Sequence, residues 1–283
     1  MYSIDLYQLH WPARYTPIFS EKRYERRKEK AASDVPSIDE QVLAIKDCLE
    51  SGKIRAWGLS NENAVGVSLF LESCRRLGVP PPATIQNDFS IAHRRFEEDG
   101  TAEVCSPLLS GAGPKGIALL AYGTLAGGTL TGKVVQSLRD GDKTPDKTRL
   151  TDQQHANMAD EKEVTILAPS VSRHVLFPHF QPRYYSKGTV KLAEKYAALA
   201  RELDLTPTQL ALVWARQREY IGAVIIGATS LEQLKENILA FELPGLSRST
   251  LRRIDAIDHQ LASAYYQGVQ PGVVKGEEVI SSN

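Results

Sequence analysis

Short apolar runs alternate along this chain with amphipathic segments whose apolar residues recur every three or four positions. Runs of the first kind predict strands, and segments of the second kind predict helices. The predicted strands are 4–9, 54–59, 84–86, 117–121 and 223–226. The predicted helices are one that begins after Ser37 and ends at Gly52, then 65–77, 190–203, 208–216 and 231–241. Glu40 follows Ser37 by three positions, which predicts a capping box at the start of the first helix.

Strands that alternate with helices of this length form βαβ units, and the strands of such units lie parallel in one sheet. The pattern therefore predicts an α/β fold of five parallel strands, each followed by a helix. We assign residues 1–267 to one domain. Two polar stretches, 19–34 and 143–175, interrupt the pattern and are predicted to be loop insertions. Residues 268–283 carry no core pattern and are predicted to form a flexible tail.

The composition, 42% hydrophobic and 24% charged residues, is ordinary for a soluble globular protein. Because 34 basic residues balance 34 acidic residues, no net charge favours nucleic acid or an anionic membrane as a partner. No apolar run approaches the roughly 20 residues that span a bilayer. The three cysteines fit neither a disulfide framework nor a metal-binding spacing, so we predict no metal site and a reducing compartment. The cytoplasm and a plastid both fit, and a targeting peptide, if there is one, would lie upstream of this chain.

Polar residues follow several of the predicted strands directly. His10 ends the first strand, Ser60 and Asn61 follow the second, and Gln86 ends the third. Active sites of parallel α/β barrels lie at the carboxyl ends of the strands, so these side chains are candidates for binding a ligand. Each residue alone is a weak signal, because serine and asparagine also cap helices and a histidine beside apolar residues is more often part of a core.

Two glycine-containing segments follow the last two strands. The segment from Tyr122 to Lys133 contains four glycines and can bring backbone N–H groups close to a phosphate, although a plain flexible turn fits it equally well. After the fifth strand, Ser230 is a predicted N-cap with Gln233 at the position that completes a capping box. The N–H groups at that helix start form a potential anion site, but simple capping is the more common role.

Taken together, these segments resemble the aldo-keto reductase family, in particular its Tas-type and potassium-channel-β-like branch. The matching segments are 5–12 (DLYQLHWP), 52–55 (GKIR), 58–61 (GLSN), 85–87 (IQN), 122–133 and 226–237, and the resemblance covers about residues 2–267. It implies a (β/α)8 TIM barrel that binds NADPH across its carboxyl face and transfers hydride between NADPH and an aldehyde or ketone. The five strands correspond to strands 4–8 of that barrel, so we expect its N-terminal third to be absent from this chain.

The resemblance also implies roles for individual residues. Ser60, Asn61 and Gln86 would hold the nicotinamide carboxamide, and the ring of Tyr122 would stack on the nicotinamide. The pyrophosphate would lie along Gly123, Thr124, Leu125 and Gly127, with Lys133 and Arg149 nearby. The adenosine and its 2′-phosphate would be surrounded by Gly227, Thr229, Gln233, Glu236 and Asn237.

The family reaction, as the resemblance implies it, uses a tyrosine as proton donor, assisted by a lysine, an aspartate and a histidine. Only the histidine has a counterpart here, His10. We therefore expect this chain alone to bind NADPH weakly if at all and to reduce carbonyls poorly. A non-catalytic NADP(H)-binding regulatory module is the alternative, and a scaffold that binds nothing is a third possibility without support in the sequence. The substrate and the oligomeric state stay open.

Overall fold

A computed structural model describes residues 3–17, 23–29, 34–133 and 181–260 of the chain. Its centre is a parallel five-stranded sheet in the order β1-β2-β3-β4-β5. The strands are β1 (Ile4–Leu9), β2 (Ile54–Ser60), β3 (Thr84–Asp88), β4 (Ala118–Tyr122) and β5 (Ile221–Val224). The predicted α/β class and the parallel sheet of five strands are therefore confirmed.

The register of the sheet brings the strand ends to one edge. Leu9 pairs with Leu59, Ser60 pairs with Gln86, and Asp88 pairs with Tyr122. Each strand lies beside its neighbour in sequence, so the residues that follow the strands are also neighbours in space. The carboxyl edge thus collects polar residues from β1 to β4.

The predicted position of β5 was wrong by two residues. The ladder with β4 pairs Leu119 with Ile221 and Ala121 with Val224, so the strand begins before the apolar run that predicted it. Glycine at position 222 permits this register, because any other residue would place its Cβ 2.8 Å from the Cβ of Ala118, which is too close for two carbon atoms. The backbone N–H of Ile225 donates the last hydrogen bond, to Ala121 O at 2.8 Å, and the chain then leaves the sheet.

Two longer helices connect the first three strands, and a third follows the glycine-rich segment in sequence. They are α1 (Ile38–Glu50), α2 (Ala64–Leu77) and α6 (Lys187–Glu202). The capping box of α1 is confirmed, since Ser37 accepts from Glu40 N and Glu40 accepts from Ser37 N. Helix α2 ends at Gly78, whose φ of 66° is the left-handed conformation that glycine adopts without strain.

Between β3 and β4 the chain forms three one-turn helices, α3 (Arg95–Glu98), α4 (Thr101–Val104) and α5 (Pro107–Ser110). The expectation that one helix follows each strand was wrong here. Gly100 adopts a left-handed φ of 83° between α3 and α4, and Pro107 begins a new turn. Both residues prevent one continuous helix.

The remaining helices are α7 (Pro207–Arg216), α8 (Leu231–Ala240) and α9 (Arg248–Gln260), and short 3-10 helices span Arg26–Lys28, Ala126–Thr131 and Pro182–Tyr185. Helix α9 was not predicted. Its buried stripe is Thr250, Ile254 and Asp258, of which only one residue is apolar. Such a stripe gives a weak hydrophobic period.

The centre of the sheet is buried and its edges are open within the described residues. Ile85 and Leu119 are fully buried, whereas Ile4 of β1 is 53% exposed and Tyr7 is 44% exposed. Helix α8 packs on the helix at Pro207–Arg216 and exposes apolar side chains that include Leu231, Leu234, Ile238 and Leu239. The described part is thus a parallel sheet with two unpaired edges, and exposed apolar side chains lie on β1 and on α8.

Several predicted segments fall outside the described residues. The insertion 143–175, Arg149 and the tail 268–283 lie there. The insertion 19–34 is described in part, and its described residues form an exposed 3-10 turn at Arg26–Lys28. Within the described ranges, no helix combines the length and apolarity needed to cross a membrane.

Candidate functional site

Hydrogen bonds connect the carboxyl ends of four neighbouring strands, β1 to β4. The Tyr122 hydroxyl donates to Asn61 Oδ1 at 2.6 Å. Asn61 Nδ2 in turn lies 3.0 Å from His10 O and 3.1 Å from Ser60 Oγ, and Ser60 Oγ lies 2.9 Å from Gln86 O. We call these five residues the strand-end network.

The direction of each of these hydrogen bonds follows from its partners. His10 O and Gln86 O are carbonyl oxygens and can only accept. The group facing His10 O must therefore be the amide NH2 of Asn61, which turns Oδ1 toward Tyr122 as an acceptor. Ser60 donates its one proton to Gln86 O and accepts from Asn61. Both polar atoms of the Asn61 amide are thus engaged by the protein itself.

The backbone of Asn61 explains how its side chain reaches the centre of the network. Its φ of 56° is left-handed, a conformation that asparagine tolerates better than most residues with a side chain. Its N–H donates to Gln86 O at 3.0 Å, which holds the strand end against β3. The half-buried amide therefore lies over the edge of the sheet rather than within a helix cap.

The backbone carbonyl of His10 belongs to the strand-end network, but its side chain does not. Only its carbonyl oxygen joins the network, while the residue itself is exposed. Its ring lies 4.4 Å, centroid to centroid, from the ring of Trp11, which is 49% exposed. The predicted role of His10 in orienting a substrate carbonyl stays a prediction.

A second group of polar residues, Asp88, Arg183 and Tyr184, lies beside the network, and we call it the Asp88 cluster. Asp88 pairs with Arg183 at 2.7 Å and accepts from the Tyr184 hydroxyl at 2.6 Å. The guanidinium of Arg183 also lies 4.4 Å from the centroid of the Tyr184 ring. Burial raises the pKa of Tyr184 well above its ordinary value, and the negative charge of Asp88 raises it further. Tyr184 is therefore a hydrogen-bond donor to Asp88 rather than an accessible acid.

His93 packs against this cluster, with its ring centroid 5.3 Å from that of Tyr184. Burial away from water lowers the pKa of His93 to about 4, although the nearby carboxylate of Asp88 acts in the opposite direction. His93 is therefore neutral at physiological pH. It belongs to the packing around Asp88.

A small cavity of about 70 Å³ opens between the network and the helices that follow β2 and β3. Its lining includes the amides Asn61, Asn63 and Asn87 and the carboxylates Glu62, Asp88 and Asp99. Each carboxylate is already paired within the protein: Glu62 with Arg14, Asp88 with Arg183, and Asp99 with Arg95. The cavity therefore presents hydrogen-bonding amides and little uncompensated charge.

The glycine-rich segment after β4 is bent by left-handed glycines. Gly123 has a φ of 70°, and a Cβ there would lie 2.1 Å from the Tyr184 hydroxyl and 2.5 Å from Asp88 Oδ1. Gly127, with a φ of 61°, is exposed, whereas Thr124 is buried and Leu125 half-buried. In this structure the missing side chain of Gly123 makes room for the Asp88 cluster, a structural use that does not require a phosphate. Lys133 is exposed at the end of the segment.

The residues predicted around the adenosine form local contacts at the start of α8. Ser230 caps the helix, but Gln233 accepts from Thr229 N at 2.9 Å and not from Ser230 N, so the predicted capping box was wrong. Asn237 donates to Gly227 O at 3.2 Å. In addition, Glu236 accepts from Thr206 Oγ1 at 2.7 Å, which connects α8 to α7.

The structure brings the predicted carboxamide-binding residues Ser60, Asn61 and Gln86 into one network with Tyr122 and the carbonyl of His10. Because β5 pairs with β4, the segment with Gly227 begins at the same edge of the sheet as the segment with Gly123. Arg149 lies outside the described residues. Among those that are described, no group of three or more potential ligands could hold a metal ion.

Sequence reasoning did not single out the Asp88 cluster or His93. Asp88 was within reach, since it is the third consecutive polar residue at the end of β3. Arg183 and Tyr184 follow a long polar stretch without periodicity, so nothing in the sequence indicated their return to β3. His93 lies just before three one-turn helices that the pattern did not reveal.

Comparison with known proteins places these features in a family. The model of the aldo/keto reductase family matches residues 2–259. The chain therefore belongs to the aldo/keto reductase family.

Three relatives show how far the similarity extends. Protein tas of Escherichia coli is 33% identical over 258 residues, which cover 91% of this chain and 62% of that protein. An aldo-keto reductase of Babesia bovis is 32% identical over 242 residues, covering 83% of this chain and 73% of that protein. A probable voltage-gated potassium channel subunit beta of rice is 23% identical over 221 residues, covering 78% and 57%. The chain thus spans 62% of the length of Protein tas.

Proposed function

We propose that this chain binds NADPH along the carboxyl edge of its sheet, as the cofactor-binding part of an oxidoreductase that transfers hydride between NADPH and an aldehyde or ketone. The observation that carries this proposal is the strand-end network. At one point of the edge it gathers the Asn61 amide, the Ser60 hydroxyl, the backbone carbonyl of Gln86 and the aromatic ring of Tyr122, from the ends of β2 to β4. A carboxamide needs such donors and acceptors, and a nicotinamide ring needs a flat partner.

The rest of the cofactor would follow the same edge. The pyrophosphate would lie along Gly123, Thr124, Leu125 and Gly127, with Lys133 as a nearby cation. The adenosine would lie at the start of α8, near Gly227, Thr229, Gln233, Glu236 and Asn237. The exposed N-terminus of α8 supports this order, because the dipole of a helix favours an anion at that end. Gln233 supplies no charge for a 2′-phosphate, so the preference for NADPH over NADH rests on family membership.

The finer proposal about the fold is that β1 to β5 are strands 4–8 of a (β/α)8 barrel. Both edge strands have one ladder neighbour among the described residues. Exposed apolar side chains lie on the edge strand β1, such as Tyr7, and on α8 after β5, such as Ile238. Closing the barrel would pair both edges and cover these surfaces.

We propose that this polypeptide alone catalyses the reduction of carbonyls only slowly. Reduction of a carbonyl needs a proton for the oxygen as hydride reaches the carbon. Tyr184 is buried with its hydroxyl bound to Asp88, and the Tyr122 hydroxyl is bound to Asn61. Because neither of these tyrosines, in the part of the chain that the structure describes, is available as an acid, the rate is expected to fall about 10²-fold to 10⁴-fold below that of a family member that has one.

A second candidate function is a non-catalytic NADP(H)-binding regulatory module. The engagement of both nearby tyrosines favours it, because nucleotide binding needs no proton donor. Similarity to a probable potassium channel subunit beta also supports this alternative. A residual NADPH-dependent reduction of carbonyls above the uncatalysed background would favour the first function, and NADPH binding without any such reduction would favour the regulatory module.

The proposal is tested by titrating the purified chain with NADPH while tryptophan fluorescence is followed, with NADH as the comparison. Trp11 is half exposed beside His10, while Trp57 and Trp214 are buried, so Trp11 should report most of the quenching. A Trp11→Phe variant should lose most of the signal but keep the affinity measured by calorimetry. Absence of saturable binding by both methods, for a chain shown to be folded, would contradict the proposal.

A further inference from the structure

The hydrogen bond between Tyr122 and Asn61 occupies a group that the cofactor would need. Asn61 donates with its NH2 group to His10 O and Ser60 Oγ, and accepts with Oδ1 from the Tyr122 hydroxyl. A ligand carboxamide that binds Asn61 must donate to Oδ1 and approach from the open side of the strand end. That side is where the tip of Tyr122 lies, 2.6 Å from Oδ1.

We propose that the Tyr122 hydroxyl is an affinity-determining group that competes with the nicotinamide carboxamide for Asn61, so that cofactor binding must first break this hydrogen bond. This inference rests on the proposed function and deepens it. The ring and the hydroxyl of Tyr122 then act in opposite directions: the ring stabilises the bound nicotinamide by stacking, and the hydroxyl stabilises the empty site.

The other atoms of the network favour this assignment. The Ser60 hydroxyl donates its proton to Gln86 O within the sheet edge. Its oxygen therefore stays an acceptor for the NH2 group of Asn61. The bond of Asn61 to His10 O joins two strand ends and lies on the far side of the amide from Tyr122. Tyr122 is half-buried at the last residue of β4, where a side-chain rotation moves its hydroxyl without disturbing the ladder. The hydrogen bond from Tyr122 is therefore the one that a ligand can replace with the smallest free-energy cost.

The proposed competition should change the affinity only for ligands that carry a carboxamide. A nucleotide with a carboxamide must displace the hydroxyl, whereas one without nicotinamide needs no contact with Asn61. The expected effect of removing the hydroxyl is that of one net hydrogen bond, about three- to ten-fold in affinity.

The test is the affinity of Tyr122→Phe for two nucleotides, measured by calorimetry on the full chain. NADPH should bind about three- to ten-fold tighter than to the wild type. Binding of 2′-phospho-ADP-ribose, which lacks nicotinamide, should be unchanged. A Tyr122→Leu variant, which also loses the ring, should bind NADPH more weakly than Tyr122→Phe does. Tyr7→Phe on β1 is the matched control and should behave as the wild type.

Each outcome decides between the two proposals. If the wild type binds NADPH and Tyr122→Phe binds it equally or more weakly, the competition is overturned while the proposed function stands. If the variant gains affinity equally for both nucleotides, the hydroxyl acts on general stability and the competition is again overturned. If neither the folded wild type nor the folded variants bind NADPH, the proposed function and the competition fail together. Circular dichroism of every variant establishes that it is folded.

Discussion

Two tyrosines at the same edge of the sheet have opposite surroundings. Tyr122 is half-buried and donates to the uncharged amide of Asn61, whereas Tyr184 is 1% exposed and donates to the carboxylate of Asp88. A ligand carboxamide can replace the first contact with an equivalent one. The second belongs to a buried ion pair with Arg183, and opening it would leave a buried charge without its counterion. The strand-end network is therefore suited to exchange partners with a ligand, and the Asp88 cluster is suited to hold the loops in place.

The largest expected effect comes from removing the charge of the Asp88 cluster. Asp88→Asn is expected to lower the free energy of unfolding by about 3 kcal/mol, because Arg183 stays buried without its carboxylate. Urea denaturation measures the change. Asp5→Asn is the control, since its pair with Arg55 is exposed and such pairs contribute about 0–1 kcal/mol.

A double variant tests whether the unpaired charge of Arg183 causes this loss of stability. Asp88→Asn with Arg183→Met removes the buried charge and should be more stable than Asp88→Asn alone. If the single variant loses less than about 1 kcal/mol, the Asp88 pair is no stronger than a surface pair and the contrast with the network is lost.

The pH dependence of stability tests the burial of His93. Its folded pKa of about 4 lies below the ordinary value of about 6.5, so its contribution is fully present above pH 6.5 and is lost as pH falls toward 4. Between pH 7 and pH 4.5 the wild type should lose roughly 2 kcal/mol through this residue. Denaturation curves at both values should show a smaller loss for His93→Gln. His259→Gln, at an exposed position of α9, should keep the wild-type dependence, and equal pH slopes in all three proteins would disprove the assignment.

The close approach of the Asp88 cluster to Gly123 gives a steric prediction. Gly123→Ala should lower the free energy of unfolding by about 2 kcal/mol more than Gly52→Ala does. Both glycines have φ near 70°, so both variants carry the same backbone strain. Only at position 123 does the new Cβ meet Tyr184 and Asp88, since nothing lies within 4 Å at position 52. Equal losses in the two variants would show that the cluster does not need this glycine.

The smallest expected change sharpens the comparison between the two tyrosines. Tyr184→Phe should lower the free energy of unfolding by about 1 kcal/mol, the net value of one hydrogen bond, and should leave NADPH affinity unchanged. Tyr122→Phe should also lower the stability of the ligand-free chain by about 1 kcal/mol, because the hydroxyl stabilises the empty site, but it should bind NADPH more tightly. Denaturation and calorimetry on the same two preparations give both values. A gain in NADPH affinity for Tyr184→Phe would mean that the two hydroxyls are not functionally distinct.

The sequence predicted the parts of the fold that depend on local pattern. The capping box of Ser37 and Glu40, the end of α2 at Gly78 and the parallel strands β1 to β4 all follow from short-range signals. The position of β5 could not be read from its apolar run, because the ladder with β4 and the space at Gly222 decided it. Likewise, the side chain of Gln233 bonds to Thr229 instead of the N-cap, a choice of geometry that the spacing does not determine.

For the candidate site, the sequence indicated which residues lie at the strand ends but not how they contact one another. Ser60, Asn61, Gln86 and Tyr122 were expected near one ligand, and the structure places them in one network. That Tyr122 bonds to Asn61 depends on the left-handed backbone of Asn61, which no sequence pattern reveals. The Asp88 cluster joins residues 95 positions apart, so only the folded chain shows it.

The central claim is that the amide of Asn61 binds the cofactor, and NADPH calorimetry on Asn61→Gly tests it most directly. Glycine accepts the φ of 56° at this position, so the variant removes the amide without backbone strain. Asp204→Gly is the control, because Asp204 is exposed and has a φ of 55° outside the site. In the Tyr122→Phe background, where no hydroxyl competes for the amide, the account predicts that Asn61→Gly weakens NADPH binding about three- to ten-fold while Asp204→Gly leaves it unchanged. Unchanged NADPH affinity in a folded variant that carries both Tyr122→Phe and Asn61→Gly would contradict it.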